Sequence, residues 1–217
     1  MVGIIYNSTL VVFYINKFDN NFFERIMNMI SKDKFHDVKE KFGKFASWGV
    51  YAERGIRAKD NVGDMAVLDP DQNNNLLNIL NPNIILVGLN ISGEIKTPLG
   101  NFHSPDSWSQ DYKIRDAIEN TAYWGCYMTD IIKDFEQKLS GKVMQSLKNH
   151  PEIAKDSIEI FFKELEVLQV ENPKIIAFGG ATYSICKKLL PDFDVYKVSH
   201  YSAYLKNGRL REEFENI

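Results

Sequence analysis

Cysteine is scarce in this 217-residue chain, which has only Cys126 and Cys186. Two thiols so far apart cannot frame a disulfide-stapled fold, nor supply the four thiolates of a common iron–sulfur cluster. Both stand in apolar surroundings and read as buried, reduced thiols, so the expected location is cytoplasmic. Long hydrophobic runs are missing too. The apolar opening, Met1 to Phe18, is interrupted by Asn7, Ser8 and Asn16 and has no basic leader. It reads as neither a signal peptide nor a membrane span. There is little excess of charge: 26 basic against 29 acidic residues leave −3, unlike a cationic chain that coats nucleic acid. His36, His103, His150 and His200 form no His-Glu-x-x-His, and the cysteines form no Cys-x-x-Cys. Neither a metal nor another cofactor is expected. Internal repeats and low-complexity tracts are absent.

What is present suits one buried core. At 44% hydrophobic and 25% charged, with 14 Phe, 10 Tyr and 3 Trp, the composition is that of a globular domain with a well-filled interior. No long linker divides it. The expectation is a single domain, 1–217, with residues 1–80 as an N-terminal elaboration of strands and helices and 81–217 as the core. One segment departs from the overall charge: Lys174 to Arg211 holds seven basic residues against Asp192 and Asp194, a local +5. That reads either as a solvated lysine surface or as a face for modest phosphate contact.

Residues 3–15 read as one or two strands, and apolar spacing from Asn20 to about Phe45 reads as two helices divided near Ser31–Asp33. Residues 46–72 read as an irregular loop or lid, and Leu76–Leu80 as a short helix or turn. The run Asn83-Ile-Ile-Leu-Val-Gly88 is a buried parallel strand, followed by a long loop over 91–109. A helix is expected over 111–120, a strand over 125–129, a helix over 152–169, a strand over 174–178, a helix over 181–189 and a strand over 195–198. Strands alternating with helices predict an α/β fold, a parallel sheet with helices on both faces.

In such a sheet ligands sit at the carboxyl ends of the strands. Four strands here end in polar groups or glycine: Gly88-Leu89-Asn90, Asp130, Gly179 and His200. Asn90 offers one donor and one acceptor to a water or a ligand amide, or is an asparagine suited to an awkward turn. His200, if neutral, can donate to an oxygen that gains charge, or is a satisfied loop histidine. Phe102, in Asn101-Phe102-His103-Ser104-Pro105, is either a stacking plate for a flat heterocycle or a pin for its loop. Asp130 orients a base edge or a catalytic group, or caps a helix starting at Ile131. Gly179-Gly180 is either an anion-binding turn or tight strand–helix packing. Ser92, Asp130 and His200 also sketch a serine-hydrolase triad, though no Gly-x-Ser-x-Gly surrounds Ser92.

Taken together these residues resemble the uracil-DNA glycosylase superfamily, in particular its mismatch-specific and single-strand-selective branches. The family's Gly-x-Asn-Pro-Gly matches Gly88-Leu89-Asn90-Ile91-Ser92, its stacking Phe-x-x-Pro matches Phe102-His103-Ser104-Pro105, and its His-Pro-Ser matches His200-Tyr201-Ser202. The resemblance spans roughly residues 83–205. It implies a three-layer α/β/α sandwich and hydrolysis of the N-glycosidic bond of uracil or a related damaged base. DNA would be the partner, and no cofactor is used. Asn90 would position the water and His200 would stabilise the leaving base. Gly88, Leu89, Phe102 and Asp130 would hold the base. Ser92, Ser202, Tyr204 and Leu205 would contact DNA, with Tyr204 or Leu205 filling the gap left by base extrusion. Ile91 and Tyr201 replace both motif prolines, and an aspartate found in the first motif of the most active branch is absent. Two other functions stay open: a non-catalytic module of this fold that binds nucleic acid, a nucleotide or a partner protein, and a small-molecule serine esterase.

Overall fold

Side chains alternate across a strand, and here that alternation divides the apolar residues between two faces of one sheet. The computed structural model describes residues 30–206 and 208–217. The readings for residues 3–15 and for the first N-terminal helix lie outside them. In chain order the elements are α1 (Lys32–Phe42), β1 (Ala46–Trp48), a 3-10 turn (Met65–Leu68), α2 (Leu76–Ile79), β2 (Asn81–Gly88), α3 (Tyr112–Ile118) and β3 (Cys126–Asp130). Then come α4 (Ser140–Asn149), α5 (Pro151–Leu168), β4 (Lys174–Phe178), α6 (Gly179–Leu189), β5 (Val195–Val198) and α7 (Arg209–Glu215).

The sheet order is β1-β3-β2-β4-β5. Strands β2 to β5 run parallel, and β1 joins the edge of β3 antiparallel. On one face Ile85, Val87, Tyr127, Ile175 and Ala177 pack with Phe35 and Val38 of α1, Phe161 and Leu165 of α5 and Ile185 of α6. On the other, Leu86, Met128, Ile176 and Phe178 pack with Ile114 and Ile118 of α3 and Leu210 and Phe214 of α7. The result is helix, sheet and helix in three layers, the expected α/β class. The chain runs from β2 outward to β3, then returns past β2 to β4. That reversal opens a crevice at the carboxyl ends of β2 and β4.

Below β3 lies a buried ion pair. Lys133 and Glu164 are both enclosed and form a salt bridge. The Glu164 carboxylate also accepts from Tyr127 Oη at 2.8 Å and Thr129 Oγ1 at 2.7 Å, and Lys133 Nζ donates to Thr129 Oγ1 at 2.7 Å. Phe45 and Phe161 set their rings beside the ammonium, 4.8 and 5.4 Å from centroid to Nζ.

The segment 46–72 is more regular than its composition suggests. It begins with β1, whose three residues pair with Tyr127, Met128 and Thr129. The loop that follows is tied from beneath: the buried Arg115 guanidinium donates to the carbonyls of Asp60 (2.8 Å), Ala58 and Ala52. Among the described residues no helix is long and apolar enough to cross a membrane. Both cysteines are free and buried, and burial pushes the Cys186 thiol up to about 12.

Candidate functional site

The crevice is a cleft of about 550 Å³, and the strand-end residues singled out in the sequence line it together: Gly88, Leu89, Asn90, Asp130, Gly179 and His200. Phe102, Ser92 and Ser202 line it as well. Tyr204 and Leu205 do not. Tyr204 is fully exposed, whereas Leu205 packs against the α3–α7 side of the core.

Asn90 is set by the loop after β3. Its side-chain Nδ2 donates to the carbonyls of Ile91 (2.7 Å), Phe135 (2.8 Å) and Gln137 (2.8 Å). Three carbonyls around one nitrogen settle which end of the amide is which. Among the described residues Oδ1 has no donor, so it is the valence left for a water or ligand. Asn90 does not have a positive φ, so the turn-tolerance reading does not apply. Ile131 and Ile132 continue the β2–β3 pairing by donating to the carbonyls of Gly88 (3.0 Å) and Leu89 (2.9 Å). No helix begins at Ile131, and Asp130 ends its strand without capping one.

Asp130 is 2% exposed, and Asn101 Nδ2 donates to its Oδ2 at 2.8 Å. Burial, only partly offset by that bond and by the Lys133 charge, raises its pKa to about 7. Near neutrality this carboxyl can donate or accept. Its Oδ1 overhangs Gly88: a Cβ there would collide with it and stand 3.0 Å from Phe102 Cζ. Glycine at 88 is therefore a packing requirement. Gly88→Ala is expected to lower stability by about 1–3 kcal/mol through overpacking. Urea unfolding checks this, and an unchanged midpoint would contradict it.

Phe102 has φ 65°, a left-handed conformation that costs an aromatic residue roughly 1–2 kcal/mol. It is held there by Asn101 Oδ1, which accepts from its N–H at 3.1 Å, and by Tyr51 Oη, which donates to its carbonyl at 3.1 Å. The ring is 4% exposed and packs near Phe178 and Tyr201, with centroids 6.5 and 6.4 Å away. It closes the floor of the cleft and pins its loop.

His200 follows β5, where Ser199 N–H and Oγ both donate to Glu213 of α7, at 2.5 and 3.0 Å. Its Nδ1 accepts from the Ser202 N–H at 3.1 Å and lies 2.8 Å from Ser202 Oγ. A backbone N–H can only donate, so the ring proton belongs on Nε2. Burial lowers the pKa and favours the neutral form. Tyr201 stacks on the imidazole at 4.4 Å and 24° and orients the ring by packing. Gly179 (φ 80°) lets this turn come close, since a Cβ there would stand 3.2 Å from His200 Cβ. That is the tight-packing reading of Gly179-Gly180. The same glycines open α6, whose first turn has no side-chain cap and faces the cleft.

Asn101, Asp111, Trp108 and Tyr201 belong to the site and were not marked as site residues in the sequence. Asp111 is buried, accepts from Ser104 N–H at 2.8 Å, and has its pKa raised by that burial. Among the described residues the lining is acidic in net charge, with Glu94, Asp106, Asp111 and Asp130 against a single lysine, Lys138. None of the seven basic residues from Lys174 to Arg211 lines it. Arg209 and Arg211 are paired within α7 to Glu212, Glu213 and Glu215. No hydrogen bond joins Ser92, His200 and Asp130 among the described residues. The His200 nitrogen that a triad acid would hold accepts from Ser202 instead. Among the described residues no group of three or more His, Cys, Asp or Glu side chains is placed to hold a metal. No family model, curated protein or solved structure matches the chain.

Proposed function

We propose that the cleft takes a flat nucleobase and that the protein hydrolyses its N-glycosidic bond, with uracil or a related damaged base in DNA as substrate. The observation that carries this is the shared location of Asn90, Asp130 and His200 at one strand-end cleft with an aromatic floor. The side chains suit the steps. Asn90 Oδ1 accepts from a water and orients it toward the sugar carbon. The carbon–nitrogen bond breaks with its electron pair moving to the base, the water oxygen bonds to the sugar carbon, and the proton that water sheds ends on the released base. His200 Nε2–H then donates to the base oxygen that gains negative charge. Asp130, free at Oδ1 and poised near neutrality, meets a base edge as donor or acceptor.

The test is release of free uracil from single- and double-stranded uracil-containing oligonucleotides. Wild type is expected to release it, and His200→Ala to lose about 10²–10³ in rate, the usual cost of one donor to a developing oxyanion. Asn90→Ala should lose activity too. No release by wild type, or equal release by all three proteins, overturns the reading. The acidic lining supports a second reading, a module that binds a neutral base or nucleoside without cleaving it. Saturable binding of free uracil or deoxyuridine with no product would favour it.

A further inference from the structure

The cleft runs on past Asn90 and Asp130 to an aromatic side chain that the steps above do not use. Trp108, in the loop between β2 and α3, lines the cleft and is 67% exposed. Phe102 offers almost no open face, so the uncovered ring in this cleft is the indole. Lys138, from the loop after β3, also lines the cleft and holds its Nζ 5.7 Å from the Trp108 ring centroid. Both loops are tied. Lys59 Nζ donates to the Ser107 carbonyl, and Ser109 N–H donates to the Asp106 carbonyl at 2.9 Å. On the opposite side the Gln137 carbonyl, next to Lys138, is held by Asn90. With the ammonium over one face, the other face of this exposed ring can take a base while Lys138 reaches its phosphate. At about 550 Å³ the cleft is the size that takes a ligand larger than one ring.

We propose that Trp108 and Lys138 form a second subsite, which stacks the base next to the one in the pocket and pairs its phosphate, so that the ligand is single-stranded DNA. This rests on reading the cleft as a base-binding site. In a duplex the neighbouring base stays paired and keeps its far-side stack, so it would have to leave the helix to reach the indole; in a single strand it is free to take that face. Among the described residues Lys138 is the one lysine lining the cleft, and the phosphate pairs with it.

The test uses a short dye-labelled oligothymidylate, which carries no uracil, the same sequence as a duplex, and free thymidine. Trp48 is buried and Trp124 partly so, which makes Trp108 the indole most open to quenching by a stacked base. The single strand is expected to quench wild-type emission, and the duplex and thymidine to do so weakly. Trp108→Leu should weaken single-strand binding by about tenfold to a hundredfold. Lys138→Gln should weaken it and reduce the salt dependence by about one phosphate contact. Equal affinity of wild type and Trp108→Leu, or equal binding of duplex and single strand, overturns the subsite. The two proposals fail separately. Binding through Trp108 without release of uracil from any oligonucleotide keeps the subsite and ends the hydrolase reading. Release with a KM unmoved by Trp108→Leu does the opposite.

Discussion

Glu164→Gln is expected to cost about 3–5 kcal/mol of folding stability, read as a lowered urea midpoint, although it changes one oxygen to one NH2. The reason is what remains behind. Lys133 is enclosed, and its charge is balanced by Glu164; the Thr129 hydroxyl and two aromatic faces touch the ammonium, and the Asp130 carboxyl, largely protonated below pH 7, acts on it only through space. Without the carboxylate, either the ammonium stays buried and uncompensated or it gives up its proton. Burial already presses the Lys133 pKa downward against the pull of Glu164. The glutamine carbonyl still serves Tyr127 and Thr129, so the loss reports the ion pair rather than those hydroxyls. Pairing the substitution with Lys133→Met removes the stranded charge, and the double variant should recover more than half of the deficit. A strictly additive double variant would show that the two groups do not depend on each other.

The second large effect concerns pH. Asp130→Asn is expected to stabilise the fold above pH 7, by up to about 4 kcal/mol, and to have little effect at pH 4. The wild-type carboxyl holds its proton up to about pH 7 when folded but gives it up near pH 4 when unfolded. Stability from this group is therefore present below pH 4 and lost as pH rises through 7. Asparagine has no proton to lose and can still accept from Asn101. A second buried group opposes this slope. His103 stands behind the cleft floor, its Nε2 3.1 Å from the Trp48 carbonyl, and burial lowers its pKa to about 4. Its contribution is present above pH 6.5 and lost as pH falls toward 4. In wild type the two slopes offset each other; Asp130→Asn removes the falling one, so between pH 4 and 6.5 the stability of the variant should climb relative to that of wild type. Denaturant unfolding at several pH values checks this, and parallel curves for the two proteins would refute it. Under the proposed hydrolysis, base release by the variant should also fall and lose its inflection near pH 7.

Much of this architecture was legible from the chain. β2 and β4 are apolar runs bounded by polar residues, and α5 repeats its apolar positions at steps of four and three. β1 was not legible, because Ala-Ser-Trp is too short to show a period and becomes a strand only by pairing with β3. α4 was missed for a related reason: Val143 is its one buried residue, so little of the helix is written in apolar spacing. At the site, the polar strand ends were visible as motifs, but burial was not. Phe102 and Trp108 are both aromatic residues in one loop, and only the fold shows that the first is covered and the second open. Asn101 carries no pattern at all; Asp130 and the Phe45 carbonyl, both remote in sequence, give it its role.

The three carbonyls gathered on the Asn90 amide also close a road. An acid at that position would water-activate more strongly, yet it would set an anionic oxygen against three backbone dipoles, all presenting their negative ends. The loop from Phe135 to Gln137 would have to let go before such an exchange were tolerated. A faster form of the proposed hydrolysis on the same scaffold must find its carboxylate elsewhere in the cleft wall.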